Sequence, residues 1–209
     1  MMLEQTAIEF IEQLSSKEPV PGGGGAAALV GALSGALGQM VCNLTIGKKK
    51  YAFVEEEVIT ILEEIENHKK KLIHLVDEDA AGFLPLSKAY GMPVETLEQK
   101  QEKQEVMEVA LRTACEAPMA MMEEMLHILM RLEFLAKNGS TLAVSDVGAA
   151  ALLGQAALET ASLNIFINTK AMTDEYVKEE FNHTTRRMIQ RSKEIRDVVC
   201  SLVDKKIGK

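Results

Sequence analysis

The sequence has no tryptophan and only 4 % aromatic residues, and no segment sustains the period-two alternation of polar and apolar residues that a half-buried strand needs. Strands draw on aromatic and β-branched residues in that alternation, so the shortage excludes a sheet protein and points to helices. Cysteine is scarce too. Cys42, Cys115 and Cys200 are odd in number, far apart and at no zinc spacing, which excludes a disulfide scaffold and leaves three small residues suited to burial in a reducing compartment. A basic surplus is also missing. The net charge of −8 argues against a nucleic-acid partner, so an anionic ligand would have to be held locally. The first residues, MMLEQTAIEFIEQL, have neither the cationic flank nor the apolar core of a secretion signal, and a cytoplasmic location is expected.

What the chain has instead is alanine, leucine, methionine, glutamate and lysine, the residues of helices. Its 209 residues suffice for a sizeable core. The most informative stretch is PVPGGGGAAALVGALSGALGQMVCNLTIGKKK, from Pro19 to Lys50, without a charge until Lys48. It opens on four glycines, Gly22 to Gly25, and closes on Lys48, Lys49, Lys50 and Tyr51. A glycine run leading into a helix presents bare amides to an anion, with the helix dipole in support. Missing the Lys-Ser/Thr that would follow, it is not a nucleotide P-loop. Its length would allow a membrane span. Its alanines and glycines, with Ser34, Gln39, Asn43 and Thr45, fit better a central helix packed closely on its neighbours, and no membrane partner is expected.

Helical spacing recurs along the chain. Leu3, Ala7, Ile8, Ile11 and Leu14 form one face of a short first helix, and Ala26, Leu29, Leu33, Leu37, Met40, Val41 and Leu44 repeat through the uncharged stretch to a stop at Gly47. A long seam runs from Val54 to Tyr90, carrying two polar residues, His68 and Asp79, and ending at Gly91 and Pro93. A fourth helical region spans about Glu95 to Lys137, with Pro118 expected to kink it. A second small-residue helix covers about Ser145 to Thr169, Ser145 and Asp146 being suited to cap it. A last helix starts near Thr173-Asp174. The expected architecture is all-α: one domain over residues 1–209, an orthogonal or up-down bundle of about six helices with the two small-residue helices at its centre.

Several polar residues fall where chemistry is feasible. Asp79 lies on an apolar seam, where an unpaired carboxylate is costly and needs a partner in the protein or in a ligand. His68 reads as a satisfied seam residue. Asn43 falls one turn before Gly47, Asn138 precedes a turn glycine, and Asn164 and Asn168 are spaced i, i+4 among apolar residues, so they either stitch helices together or face a ligand. No metal-ligand cluster, serine triad or Cys-His pair is evident. The residues alone describe an all-helical protein with a polar, anion-friendly site and name no reaction.

The segments PVPGGGGAAA, NLTIGKKKY, DEDAAGF, KNGSTLAVSDVGAAALL and LNIFINTKAMTDE, in this order, resemble the cyclodeaminase/cyclohydrolase family of folate enzymes, over most of the chain. The resemblance implies a helical subunit that forms at least a homodimer, acts on a tetrahydrofolate one-carbon unit and uses no metal or redox cofactor. It implies hydrolysis of 5,10-methenyltetrahydrofolate to 10-formyltetrahydrofolate. The alternatives are cyclodeamination of 5-formiminotetrahydrofolate, which releases ammonia, and folate binding without catalysis. On that reading Lys48 and Asp146 are the expected acid–base pair with Asp79 as a third candidate. A carboxylate, Asp146 or Asp79, offsets the charge of the methenyl group. Gly22, Gly23, Gly24 and Gly25, with Lys49 and Lys50, are candidates to hold the glutamate tail, and Tyr51, Asn43, Asn138, Asn164 and Asn168 complete the candidate substrate site.

Overall fold

Six α-helices account for most of the chain in the computed structural model, which describes residues 1–209: α1 (Ala7–Leu14), α2 (Gly23–Thr45), α3 (Glu55–Tyr90), α4 (Leu97–Asn138), α5 (Val144–Thr169) and α6 (Glu175–Ile207). There is no strand, and short 3-10 turns precede α1, α3 and α5. Three helices begin on side-chain caps. Thr6 and Glu9 form a reciprocal capping box at α1, Thr96 and Gln99 another at α4, and Asp174 accepts the amides of Tyr176 and Val177 at α6. The small-residue helices differ: α2 starts on Gly22 and α5 on Ala143, neither with a side-chain cap. Ser145 and Asp146, expected as caps of α5, lie inside its first turn.

α4 runs beneath the bundle and packs on α2, α3, α5 and α6, while α2 and α5 lie side by side. Met121, Met122, Met125, Leu129 and Leu132 of α4 are fully buried, the flexible thioethers filling the irregular space under a pair of small-residue helices. α2 and α5 are antiparallel: Gly23 lies near Asn164 at one end and Thr45 accepts the amide of Ser140 at the other. Midway, Ser34 Oγ donates to the Ala150 carbonyl at 2.7 Å, and a Cβ on Gly154 would come within 2.7 Å of the same hydroxyl. A Cβ on Gly31 would meet Met125 at 2.8 Å. Glycine at these positions lets core side chains pack directly against the helix backbone.

This packing turns α2 inside out. Its buried side is Gly24, Ala28, Gly31, Ala32, Gly35, Gly38 and Cys42, whereas Leu33, Met40 and Leu44 of the leucine–methionine repeat are exposed. α5 does the same, with Gly148, Ala151, Gly154 and Ala161 inward and Leu152, Leu163 and Ile167 outward. In α1 the expected apolar face is also displaced: Phe10 is the buried residue, and Ile8 and Ile11 are exposed.

Pro118 interrupts the hydrogen bonding of α4 without ending the helix. Proline has no N–H for the carbonyl four residues before it. That carbonyl, Ala114 O, receives the Asn168 carboxamide of α5 at 3.2 Å instead. His68 is likewise satisfied: Nδ1 meets the Glu124 carboxylate, and the ring stacks on His127 at 4.8 Å.

Candidate functional site

The candidate residues gather at the two opposite ends of the α2–α5 pair. At the first end, Pro19, Val20, Gly22, Gly23 and Gly24 meet Asp79 and Phe83 of α3, Ala114 of α4, and Asn164, Ile167 and Asn168 of α5 around a cleft of about 190 Å³. Uncapped, the first amides of α2 open into this cleft. Asp79 lies directly against them. A Cβ on Gly24 would stand 2.4 Å from both of its carboxylate oxygens, so the anion nearest the glycine run belongs to the protein itself. Burial pushes the Asp79 carboxyl up to about 6, and the Gly25 amide opposes that rise only in part. An acid with that pKa exchanges protons near neutrality. Asn168 is tied to Ala114 O, while Asn164 lines the cleft.

At the second end, Lys48 starts the 3-10 turn Lys49–Val54 that leads into α3. Gly47, at φ 76°, makes the left-handed step that releases the chain from α2. Tyr51 is buried, and its phenol oxygen accepts the Thr141 amide at 3.0 Å and lies 3.3 Å from the Thr141 hydroxyl. These two bonds from Thr141, with help from Lys50, pull the phenol down to about 8. Lys50 Nζ sits 5.2 Å from the centre of the ring. Thr45 Oγ1 accepts the amide of Ser140, whose own hydroxyl is buried without a partner. Lys49 is exposed and Lys48 half-buried. Asp146 is half-buried in the first turn of α5. Asn138 donates to the carbonyl of Phe134 in its own helix. Asn43 points elsewhere, into a shallow groove with Gln39, Glu63, Glu66 and Asn67.

The two groups are far apart within the chain. α2 has 23 residues, which at about 1.5 Å per residue separates its ends by about 33 Å. Asp146 and Asn164 are eighteen positions apart in one helix, five full turns, so they share one line of α5 at a separation of about 27 Å. Thus Gly22, Gly23, Gly24, Gly25, Asp79, Asn164 and Asn168 come together, whereas Lys48, Lys49, Tyr51, Asn138 and Asp146 share only the opposite end of the pair, where Lys48 and Asp146 form no ion pair, and the two groups do not meet. Among the cleft residues, Phe83 was within reach of sequence reasoning, one turn beyond Asp79 in DEDAAGF. Ala114, Ile167 and Thr141 reach their places only through long-range packing and leave no local signal.

An all-α protein with a near-neutral carboxylic acid at one end and a lowered phenol beside lysines at the other is equipped for acid–base chemistry on a polar ligand. Comparison with known proteins makes the class particular. Residues 6–204 match the family model described as formiminotransferase-cyclodeaminase, and the chain belongs to that family. It is 39 % identical to the methenyltetrahydrofolate cyclohydrolase of Methylorubrum extorquens, over 84 % of this chain and 85 % of that protein. It is 27 % identical to the formimidoyltransferase-cyclodeaminase of Gallus gallus over 94 % of this chain, but spans only 36 % of that longer protein. The crystal structure of formiminotetrahydrofolate cyclodeaminase from Thermotoga maritima superimposes with a TM-score of 0.87 at 28 % identity, over 99 % of this chain and 100 % of that one.

Proposed function

We propose that the protein opens 5,10-methenyltetrahydrofolate with water to give 10-formyltetrahydrofolate. The observation that carries this reading is the 39 % identity to a cyclohydrolase over 85 % of that enzyme's length. The chemistry suits the groups present. The substrate carbon lies between two nitrogens that share one positive charge. Water adds to that carbon and gives up a proton. The resulting tetrahedral centre then gives up its hydroxyl proton as its bond to N5 breaks, N5 takes a proton, and the formyl group stays on N10. One water is consumed and one proton is released. Only proton transfers are required, so the reading needs neither a metal nor a redox cofactor.

In this reading Asp79, ionised above about pH 6, stabilises the cationic substrate in the cleft and accepts the proton of the attacking water. Asn164 orients the water or the pterin, and the open amides of Gly22 to Gly24 hold a carboxylate or carbonyl of the substrate. Lys48, Asp146 and Tyr51 are the candidates to deliver the proton to N5. The protein acts as a soluble cytoplasmic homodimer.

A second reading is favoured by the match to the Thermotoga maritima cyclodeaminase: closure of 5-formiminotetrahydrofolate to the methenyl compound with loss of ammonia. It passes through the same kind of tetrahedral carbon. Absorbance separates the two. With purified protein at mildly acidic pH, where spontaneous opening is slow, rapid loss of the methenyl chromophore is expected. Gain of that chromophore from the formimino substrate, without loss from the methenyl one, would replace the first reading by the second. Silence with both substrates would overturn both.

A further inference from the structure

We infer that Asn168 is a positioning residue: its bond to the carbonyl that Pro118 leaves free holds the end of α5 against α4, and so sets the Asn164 carboxamide over the cleft. The inference rests on the proposed folate chemistry for what Asn164 touches. It rests on geometry for how Asn164 is held.

Asn164 has no tether of its own. Its carboxamide makes no hydrogen bond within the chain, and its Nδ2 lies 4.0 Å from the place of a Cβ on Gly23, beside the open amides of α2. It stands five residues before the last residue of α5. A helix end frays unless groups outside it hold the final turn, so the place of Asn164 depends on what fastens that turn. Two side chains do so. Asn168, one turn beyond Asn164 on the same face, donates to Ala114 O of α4 at 3.2 Å. Thr169 Oγ1 donates to Asn182 Oδ1 of α6 at 2.8 Å. Both are buried, Asn168 at 8 % and Thr169 at 1 % exposure. Of the two ties, only the first reaches the cleft: Ala114 and Asn168 line it together with Asn164, whereas Thr169 and Asn182 do not. Asn168 thus joins the α5 wall of the cleft to its α4 floor.

The acceptor of this bond is made by one residue. Any other side chain at 118 would bring an N–H for Ala114 O, and Pro118 brings none. For stability the carbonyl needs only a donor. A carboxamide placed one turn after Asn164 meets that need and fixes the wall as well. Shifting a substrate-contacting group by about 1 Å lowers turnover by up to about 100-fold without altering the chemistry.

Asn168→Ala is expected to lower kcat/KM for 5,10-methenyltetrahydrofolate about fivefold, the remaining tie through Thr169 limiting the displacement. Asn164→Ala is expected to lower it at least about tenfold. Because Asn168 acts through Asn164, the double variant should match Asn164→Ala alone; a further loss of about fivefold in the double variant overturns the inference. Pro118→Ala separates placement from stability, since it returns an N–H to the carbonyl. The pair Pro118→Ala and Asn168→Ala is expected to keep the thermal midpoint of Pro118→Ala and still to act about fivefold below the wild type. Wild-type kcat/KM in that pair would mean that Asn168 serves the carbonyl alone, and overturns the inference. Hydrogen exchange reads the tether without turnover. The last two turns of α5 should exchange faster in the pair than in Pro118→Ala, while the first half of the helix stays unchanged; equal exchange at the end of α5 overturns the inference. Should the wild type act on neither folate, the functional reading fails, while the exchange result still decides whether Asn168 holds the wall.

Discussion

The two ends of the α2–α5 pair meet one structural problem, a helix that starts without a side-chain cap, in opposite ways. At the α2 start the backbone amides are left open on Gly22 to Gly24, and a carboxylate from another helix is lodged against them. At the α5 start the preceding turn is tied down from outside, Thr45 accepting the amide of Ser140 and Tyr51 that of Thr141. The first end holds a half-buried acid at some cost and leaves a cleft beside it. The second is closed by hydrogen bonds and shows lysines to its surroundings. The first is a receptacle and the second a rigid platform. Polar groups with unusual proton affinity thus arise here in two ways, by desolvation for Asp79 and by directed hydrogen bonds for Tyr51.

The largest expected effect comes from removing the charge at the receptacle. Asp79→Asn should lower turnover at least about 100-fold, and wild-type kcat/KM should rise with pH through about 6 as this carboxyl ionises; a flat profile across that range would remove Asp79 from the role of base. The same variant should be more stable. The carboxyl is raised in the folded state, so its favourable contribution is present below the ordinary value of 3.8 and is lost as pH rises through about 6. Neutral Asn avoids that loss, and urea unfolding at pH 8 should show a gain of about 2 kcal/mol that vanishes near pH 4. Equal stability of variant and wild type at both pH values would contradict the desolvated acid.

Gly24→Ala sets the Cβ against the same carboxylate and should cost about 1–3 kcal/mol by overpacking. Paired with Asp79→Ala, which vacates the space, most of that cost should disappear, as a double-mutant cycle would show. At the platform, Tyr51→Phe strands the Thr141 amide and should cost about 1–2 kcal/mol; an unchanged unfolding midpoint would mean the phenol does not hold the turn. The smallest effect is expected of Asn168→Ala, which leaves the Ala114 carbonyl unpaired beside Pro118. A cost of about 1 kcal/mol should appear as a lower thermal midpoint by roughly 2–4 °C.

Much of this was legible in the sequence. Period and composition identify the two small-residue helices, Gly47 marks the end of one, and Asp174 marks the start of α6. The orientation of α2 was not legible. Both of its sides are uncharged, so the leucine–methionine repeat tells which residues share a face and not whether that face turns inward. Only the partners decide: Met125, Ile128 and Ile65 come so close to Gly31, Gly35 and Gly38 that the glycine side must be the inner one. The role of Asn168 was equally hidden, because the carbonyl it serves belongs to a different helix and is freed by a proline that a sequence reading takes for a kink. The motif DEDAAGF located Asp79, but its contact with Gly24 appears only when α3 crosses the start of α2.

That contact also dictates an order of loss over evolutionary time. While the carboxylate occupies the space over the Gly24 α-carbon, a side chain at position 24 must displace it. Once position 79 has shortened, position 24 becomes free to vary. A lineage that abandons the chemistry and keeps the fold would therefore be expected to shed its acid before its glycine, since Asp at 79 beside a side chain at 24 is the combination that this geometry penalises.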